Sequence, residues 1–325
     1  MAAAMAAAAV GTRARVPAMG PAALAQAVVQ ALLDEVRLSP KPGLVDRRGS
    51  GAHTDVDLDL MCRSALVLGP SFEAMAVAAL SAGACTPTLR EILGRLGRDA
   101  EAVMMAATGG INTHRGAIWA LGLLVAAAAL VGVGPAGSGD ASEIAATAGA
   151  IARCPDRFAP SATGNKGEHA CRIYRVGGAR GQAFAGFPQV VGAGLPALRS
   201  SRMRGDPEPS AQLNALLAIV STLDDTCVLA RAGPLALRRM QRGAAAVLAA
   251  GGVATLPGRR ALRALDGWAM AMRLSPGGAA DLLAATLFLD RLDEGDRSGP
   301  AARPGPPTGR PLPATAAGGP HRHRR

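Results

Sequence analysis

Two lysines stand among 33 arginines in this chain, and each lies in a segment built to hold something. Lys41 belongs to Ser39-Pro-Lys-Pro-Gly-Leu-Val-Asp46 and Lys166 to Gly164-Asn-Lys-Gly-Glu168. Lysine offers a compact ammonium where arginine offers a planar fork, so a lysine kept in an arginine-rich chain suggests a site that needs a point charge. Pro40 and Pro42 fix the backbone beside Lys41, Gly43 permits an unusual turn, and Asp46 places a carboxylate within reach. Such a loop can hold an ammonium against a phosphate. A rigid interhelical turn with a solvated lysine is the alternative.

Five further segments carry polar groups at spacings that suit a polyphosphate. Gly49 to Asp59 holds His53, Asp55 and Asp57, which could bind a nucleotide's magnesium or its hydroxyls; magnesium needs only one or two carboxylates beside water and phosphate. Thr54 or Asp55 is expected to cap the following helix, with Asp55 and Asp59 on one face and Asp57 pointing elsewhere. Acidic groups there are also ordinary dipole partners. Ala107 to Gly116 places Asn112, Thr113, His114 and Arg115 after a glycine pair at a helix start, an anion cradle of free N–H groups and a cation. Thr222 to Thr226 holds Asp224 and Asp225 at the C-terminal end of an apolar helix, where the dipole disfavours them unless a cation compensates. They are magnesium candidates, with a salt bridge to Arg231 as the alternative. Leu274 to Asp281 offers Ser275, Gly277 and Gly278 at another Gly-rich helix start. Gly177 to Ala183 adds Arg180 on a flexible loop.

The elements that must position these groups are helical. Leu24, Val28, Leu32 and Val36 recur every four residues, Leu213 to Leu223 repeats the pattern, and Leu282 to Leu289 does so again after Ser275-Pro276. No alternating run is long enough for a sheet, and no internal repeat occurs. Aromatics are 2% of residues, so Ala, Leu, Val, Ile and Met must build the core. The expected architecture is all-α: a single compact helical domain over 21–294, flanked by disordered tails at 1–20 and 295–325. Ala117 to Gly134 is uncharged, but its alanines and glycines suit a buried central helix better than a membrane span.

Charge and cysteine usage narrow the setting. Of the net +11, residues 1–20 hold +2 and residues 296–325 hold +5, which leaves +4 on the body. Without interleaved aromatics, this distribution argues against specific nucleic-acid recognition. Cysteines 62, 85, 154, 171 and 227 form no CxxC pair and read as reduced thiols in a cytoplasmic protein.

Several long motifs, in order, resemble the triphosphoribosyl-dephospho-CoA synthase family: residues 39–46, 51–57, 107–118, 178–183, 223–226 and 275–284. The likeness spans about 22–290, and the runs around Pro42 to His53 and Asp224 to Leu229 are most similar to the malonate decarboxylase branch, with the citrate lyase branch second. The resemblance implies that ATP and 3′-dephospho-CoA are the substrates and that adenine leaves while the triphosphate stays attached. The product would be 2′-(5″-triphosphoribosyl)-3′-dephospho-CoA, the precursor of an acyl carrier protein's prosthetic group. On that chemistry Lys41, Arg115, Arg180 and Arg231 are the candidate cations, with Asn112, Thr113, Ser275, Gly277 and Gly278 as further triphosphate contacts. Asp55, Asp57, Asp224 and Asp225 are candidates for Mg2+. His53, His114 or Asp55 is the candidate base. Gln182 stands where the family is expected to carry glutamate, Ala279 where serine is expected, and Cys227 where asparagine is common. A magnesium-dependent nucleotide or ribosyl hydrolase, and a catalytically impaired ATP-binding paralogue, are the competing readings.

Overall fold

The structure, a computed structural model, describes residues 19–134 and 137–297. The chain opens with α1 (Pro21–Arg37), whose first-turn proline has its φ already set for a helix. Leu24, Val28, Leu32 and Val36 are all buried, as their spacing predicts. There follow α2 (Leu58–Val67), α3 (Gly69–Ala82), α4 (Pro87–Ala107) and α5 (Arg115–Val131). The strands β1 (Val133–Gly134) and β2 (Gly137–Ser138), a two-residue antiparallel ladder, are the one sheet among the described residues. Then come α6 (Ala141–Arg153), α7 (Lys166–Tyr174), α8 (Gly178–Phe184), a π-helical turn at Val190–Gly194, and α9 (Leu195–Met203). The last four are α10 (Glu208–Thr222), α11 (Thr226–Ala249), α12 (Leu256–Ala271) and α13 (Gly277–Arg297). The all-α expectation holds. Helix α13 runs three residues past the expected limit at 294, and the rest of the expected tails, 1–18 and 298–325, lies outside the described residues.

Helix α5 is the central rod, buried from Ala117 through Ala129 apart from Trp119. It packs against α3, α4, α6 and α13, and α1 lies across α3 and α13. Alanine lets these backbones approach closely, which is how a core with few aromatics fills its volume. The stretch Leu58–Ala82 is long and apolar enough to span a membrane by length and composition alone. Here it is two helices, meeting at Leu68, and α3 buries Phe72, Met75, Ala76 and Ala79. Helix α11 bends where Gly233 adopts φ 72 and ψ −170 ahead of Pro234. Helix α11 packs against α10, α12, α7 and α13.

Candidate active site

The lysine loop turns inward. Lys41 is 2% exposed, and its Nζ donates to the Glu35 carboxylate at 2.5 Å and the Glu35 backbone carbonyl at 2.6 Å. The Asp46 carboxylate does not meet this ammonium; it accepts the Lys41 backbone N–H at 2.8 Å and is clasped by Arg48. Lys41 is therefore not the solvated lysine of the alternative reading, and its ammonium is held by Glu35. A carboxylate on the buried face of α1 captures the ammonium first. Gly43 adopts φ +68, and a Cβ there would fall 2.0 Å from the Leu274 carbonyl, so only glycine lets the loop seat against the approach to α13. Gly43 N–H and Arg48 both bind Asp266 of α12, which fixes the loop from the other side. Burial raises the Glu35 pKa, and the Lys41 charge and hydrogen bond oppose the rise.

His114 occupies the cap position of α5, with its ring turned into the core. Its Nδ1 lies 2.8 Å from Ser64 Oγ, which in turn lies 2.6 Å from Thr113 Oγ1. Burial, reinforced by the Lys41 charge, brings its pKa down to about 4, so the ring is neutral at pH 7. Its Nε2 is buried with no hydrogen-bond partner. Arg115 points away and donates from Nε to Glu101 of α4 at 2.9 Å, while Asn112 Oδ1 accepts the Arg115 N–H at 3.2 Å. Asn112 is exposed.

Three helix starts meet beside this pair. Asp225, expected to trail α10, is the N-cap of α11: Oδ1 accepts from Cys227 N at 2.8 Å and Val228 N at 3.3 Å. Its Oδ2 accepts from Ala279 N of α13 at 2.9 Å, tying the two helix starts together. A Cβ on Gly278 would lie 3.2 Å from that same oxygen, and one on Gly277 3.1 Å from Cys227 Sγ. Asp281, in the first turns of α13, reaches the start of α5. A Cβ on Gly116 would fall 2.1 Å from its Oδ2. The cradles expected to be open to an external anion thus already receive two carboxylates of the chain itself. Asp225 and Asp281 offset part of the positive potential at those helix starts.

Burial and the charges of Glu35 and Asp225 raise the Asp281 pKa well above the ordinary carboxyl range. Asp281 and Cys227 nevertheless keep accessible edges. Gly277 and Asp281 are half-buried and Cys227 is exposed, so the junction of the three helix starts opens to solvent above the buried Asp225. Ser275, just before α13, is 2% exposed, and its buried hydroxyl has no hydrogen-bond partner.

The remaining candidates stand at the edge of this junction or away from it. His53 Nδ1 lies 3.8 Å from Asp55 Oδ1, and its pKa is lowered by burial and then by the charge of Arg231, against Asp55. Arg231 donates to the Arg273 carbonyl at 3.2 Å, not to Asp224 or Asp225. Asp57, not Thr54 or Asp55, caps α2, accepting from Leu60 N at 2.8 Å, so Asp55 and Asp59 do not share a helical face. Asp224 is exposed. Arg180 stacks over Phe184 on α8, and the Gln182 Oε1 is buried without a partner. Lys166 opens α7 and is exposed. Among the described residues no three His, Cys, Asp or Glu side chains converge as a metal cage. A separate cavity of about 580 Å³ between α1, α10 and α13 includes Arg37, Arg47 and Asp290 but none of the junction residues.

Glu35, Ser64 and Asp281 are the members that sequence reading missed. Their signal was a polar group at a buried-face position of an apolar helix, as with Glu35 three residues after Leu32.

Residues 21–300 match the family model described as ATP:dephospho-CoA triphosphoribosyl transferase. A probable 2-(5''-triphosphoribosyl)-3'-dephosphocoenzyme-A synthase of Stutzerimonas stutzeri is 61% identical over 269 residues, covering 83% of this chain and 91% of that one. The Klebsiella pneumoniae protein called 2-(5''-triphosphoribosyl)-3'-dephosphocoenzyme-A synthase is 56% identical, covering 83% and 94%. A probable synthase of Pseudomonas fluorescens is 57% identical over 273 residues, covering 84% and 92%. No solved structure matches.

Proposed function

This chain belongs to the ATP:dephospho-CoA triphosphoribosyl transferase family, and from that membership we propose that it transfers the 5-triphosphoribosyl group of ATP to the 2′-hydroxyl of 3′-dephospho-CoA. Adenine leaves, and 2′-(5″-triphosphoribosyl)-3′-dephospho-CoA forms. The observation that carries the reading is the junction where the starts of α5, α11 and α13 meet over Asp225 and Asp281, backed by the Lys41–Glu35 pair. Such a transfer needs positive potential for a triphosphate and negative charge near a ribosyl carbon that becomes cationic. Helix starts supply the first and buried carboxylates the second.

Magnesium fits this site as an ion carried by the triphosphate, because the protein offers few free oxygens. Both Asp225 oxygens already accept backbone N–H groups, whereas Asp224 and Asp55 are exposed and turn carboxylates to solvent. One or two carboxylates suffice for such an ion, which when bound neutralises phosphate charge. Arg231 and His53 at the edge of the junction are placed to meet the substrate's outer parts. The five free cysteines suit a reducing cytoplasmic setting. The runs over 42–53 and 224–229 favour malonate decarboxylase as the pathway whose acyl carrier protein receives the finished group.

The test is mass-resolved chromatography of protein with magnesium, ATP and dephospho-CoA, omitting each in turn. Adenine together with a dephospho-CoA adduct carrying an intact triphosphoribosyl group is expected. Adenine released without the adduct would instead identify a hydrolase. Binding of ATP with no product, and turnover restored by Gln182→Glu, would identify an impaired paralogue.

A further inference from the structure

The cavity between α1, α10 and α13 is lined by charges that do not all pair with one another. It encloses about 580 Å³, a volume within the range of small-ligand sites. Arg291 binds Asp34 across it, and Arg202 bridges Glu208 at 2.8 Å and Asp290 at 2.7 Å. Two guanidinium groups are left over. Arg37, in the last turn of α1, and Arg47, just after Asp46, are exposed and have no ion-pair partner among the described residues. Further in, Asp290 is 2% exposed, and its Oδ1 is buried without a hydrogen-bond partner. Gln212 donates its side-chain N–H to Glu208 at 2.9 Å, which leaves its carbonyl oxygen free, and the Ser39 hydroxyl is also free. Leu38 and Leu287 supply apolar wall between these groups. Such a lining suits a ligand that is anionic at one end and carries hydroxyl or amide groups on an aliphatic chain.

The cavity shares two walls with the junction of helix starts. Along α13 the rise from Asp281 at the junction to Asp290 at the cavity is about 14 Å. The lysine loop is the other shared wall: Leu38, Ser39 and Arg47 line the cavity, whereas Gly43 seats against the Leu274 carbonyl just before α13. We propose that this cavity holds the diphosphate and pantetheine arm of the acceptor, 3′-dephospho-CoA, with Arg37 and Arg47 binding the diphosphate. The inference rests on the reaction proposed above. Guanidinium forks match phosphate oxygens two at a time. The arm beyond the diphosphate carries a hydroxyl, two amides and a dimethyl-substituted carbon, which the polar and apolar walls complement. Dephospho-CoA is long enough to lay its arm here while its ribose 2′-hydroxyl reaches the junction. ATP has no such arm, so the cavity separates acceptor from donor.

The test is calorimetric titration of native protein and the Arg37→Gln, Arg47→Gln double variant with dephospho-CoA, 4′-phosphopantetheine and magnesium ATP. Both side chains are exposed and unpaired, so their loss should leave the fold intact. The variant should bind dephospho-CoA at least about tenfold more weakly, the effect of losing charged hydrogen bonds, with Kd for magnesium ATP unchanged. KM for dephospho-CoA should rise in step. On the native protein 4′-phosphopantetheine, which lacks the adenosine, should displace dephospho-CoA but not magnesium ATP. Gln212→Trp, which fills the cavity from α10, should abolish binding of 4′-phosphopantetheine. An unchanged Kd for dephospho-CoA in the double variant, equal losses for both nucleotides, or 4′-phosphopantetheine that fails to compete would overturn the assignment. Selective loss of dephospho-CoA binding in a protein that forms no triphosphoribosyl adduct would overturn the reaction and leave the acceptor site standing.

Discussion

The His114 imidazole ionises at about 4 in the folded protein against 6.5 for a free side chain, because burial and the Lys41 charge disfavour its cation. Between those values the unfolded chain binds a proton that the folded chain refuses. Its contribution to stability is therefore complete above pH 6.5 and is lost as pH falls toward 4. The shift corresponds to about 3 kcal/mol. The raised carboxyls of Glu35, Asp225 and Asp281 act oppositely: their contribution is present at low pH and is lost as pH rises through their folded values. Urea unfolding of native protein and His114→Gln separates the two effects. The stability gap between them should fall by roughly 2–3 kcal/mol from pH 7 to pH 4.5; a constant gap would contradict the buried neutral ring. Lys41, His114 and Ser275 were legible in sequence because they interrupt Pro- and Gly-punctuated segments. Glu35 and Asp281 were not, because a carboxylate inside an apolar helix reads as a solvated face until the packing is known.

At the level of elements, the site depends on how closely α5 and α13 begin to one another. Gly116 has no room for a methyl group, since a Cβ would lie 2.1 Å from Asp281 Oδ2. Gly116→Ala should displace that carboxylate by about 1 Å and lower kcat by roughly 10²-fold, with the far-ultraviolet spectrum of the fold unchanged. Retention of native kcat would remove Asp281 from the chemistry. The amphipathic helices α1, α10 and α13 were readable from their apolar spacing. The caps were not: Asp55, Asp57 and Asp59 alternate, so spacing offers three candidate helix starts, and extended backbone at Asp57 (φ −127, ψ 176) decides among them. Asp225 was misplaced because three residues, Leu223 to Asp225, separate α10 from α11. The aspartate that trails one helix caps the next.

Charge is distributed over the whole molecule in a way that counting by tails conceals. Between Thr226 and Ala280 stand eight arginines against the single carboxylate of Asp266, which is held by Arg48. Arg231 and Arg273 lie by the junction of helix starts, and exposed Arg238, Arg239, Arg242, Arg259, Arg260 and Arg263 continue the positive track along α11 and α12. Both proposed substrates are polyanions, and such a field raises their encounter rate. Raising ionic strength from about 0.01 to 0.15 M, which shortens the screening length from about 30 to 8 Å, should lower kcat/KM by about tenfold. The combined Arg238→Gln, Arg242→Gln, Arg260→Gln and Arg263→Gln variant should flatten that slope with kcat unchanged; an undiminished slope would assign the effect elsewhere. Which face receives the nucleotide is the central claim, and a crystal structure of the native protein with magnesium and ATP, dephospho-CoA withheld, tests it most directly. The account predicts the triphosphate at the starts of α11 and α13, beside Ser275, with the adenine-bearing carbon toward Asp281. A nucleotide seated instead in the arginine-lined cavity between α1, α10 and α13 would contradict it.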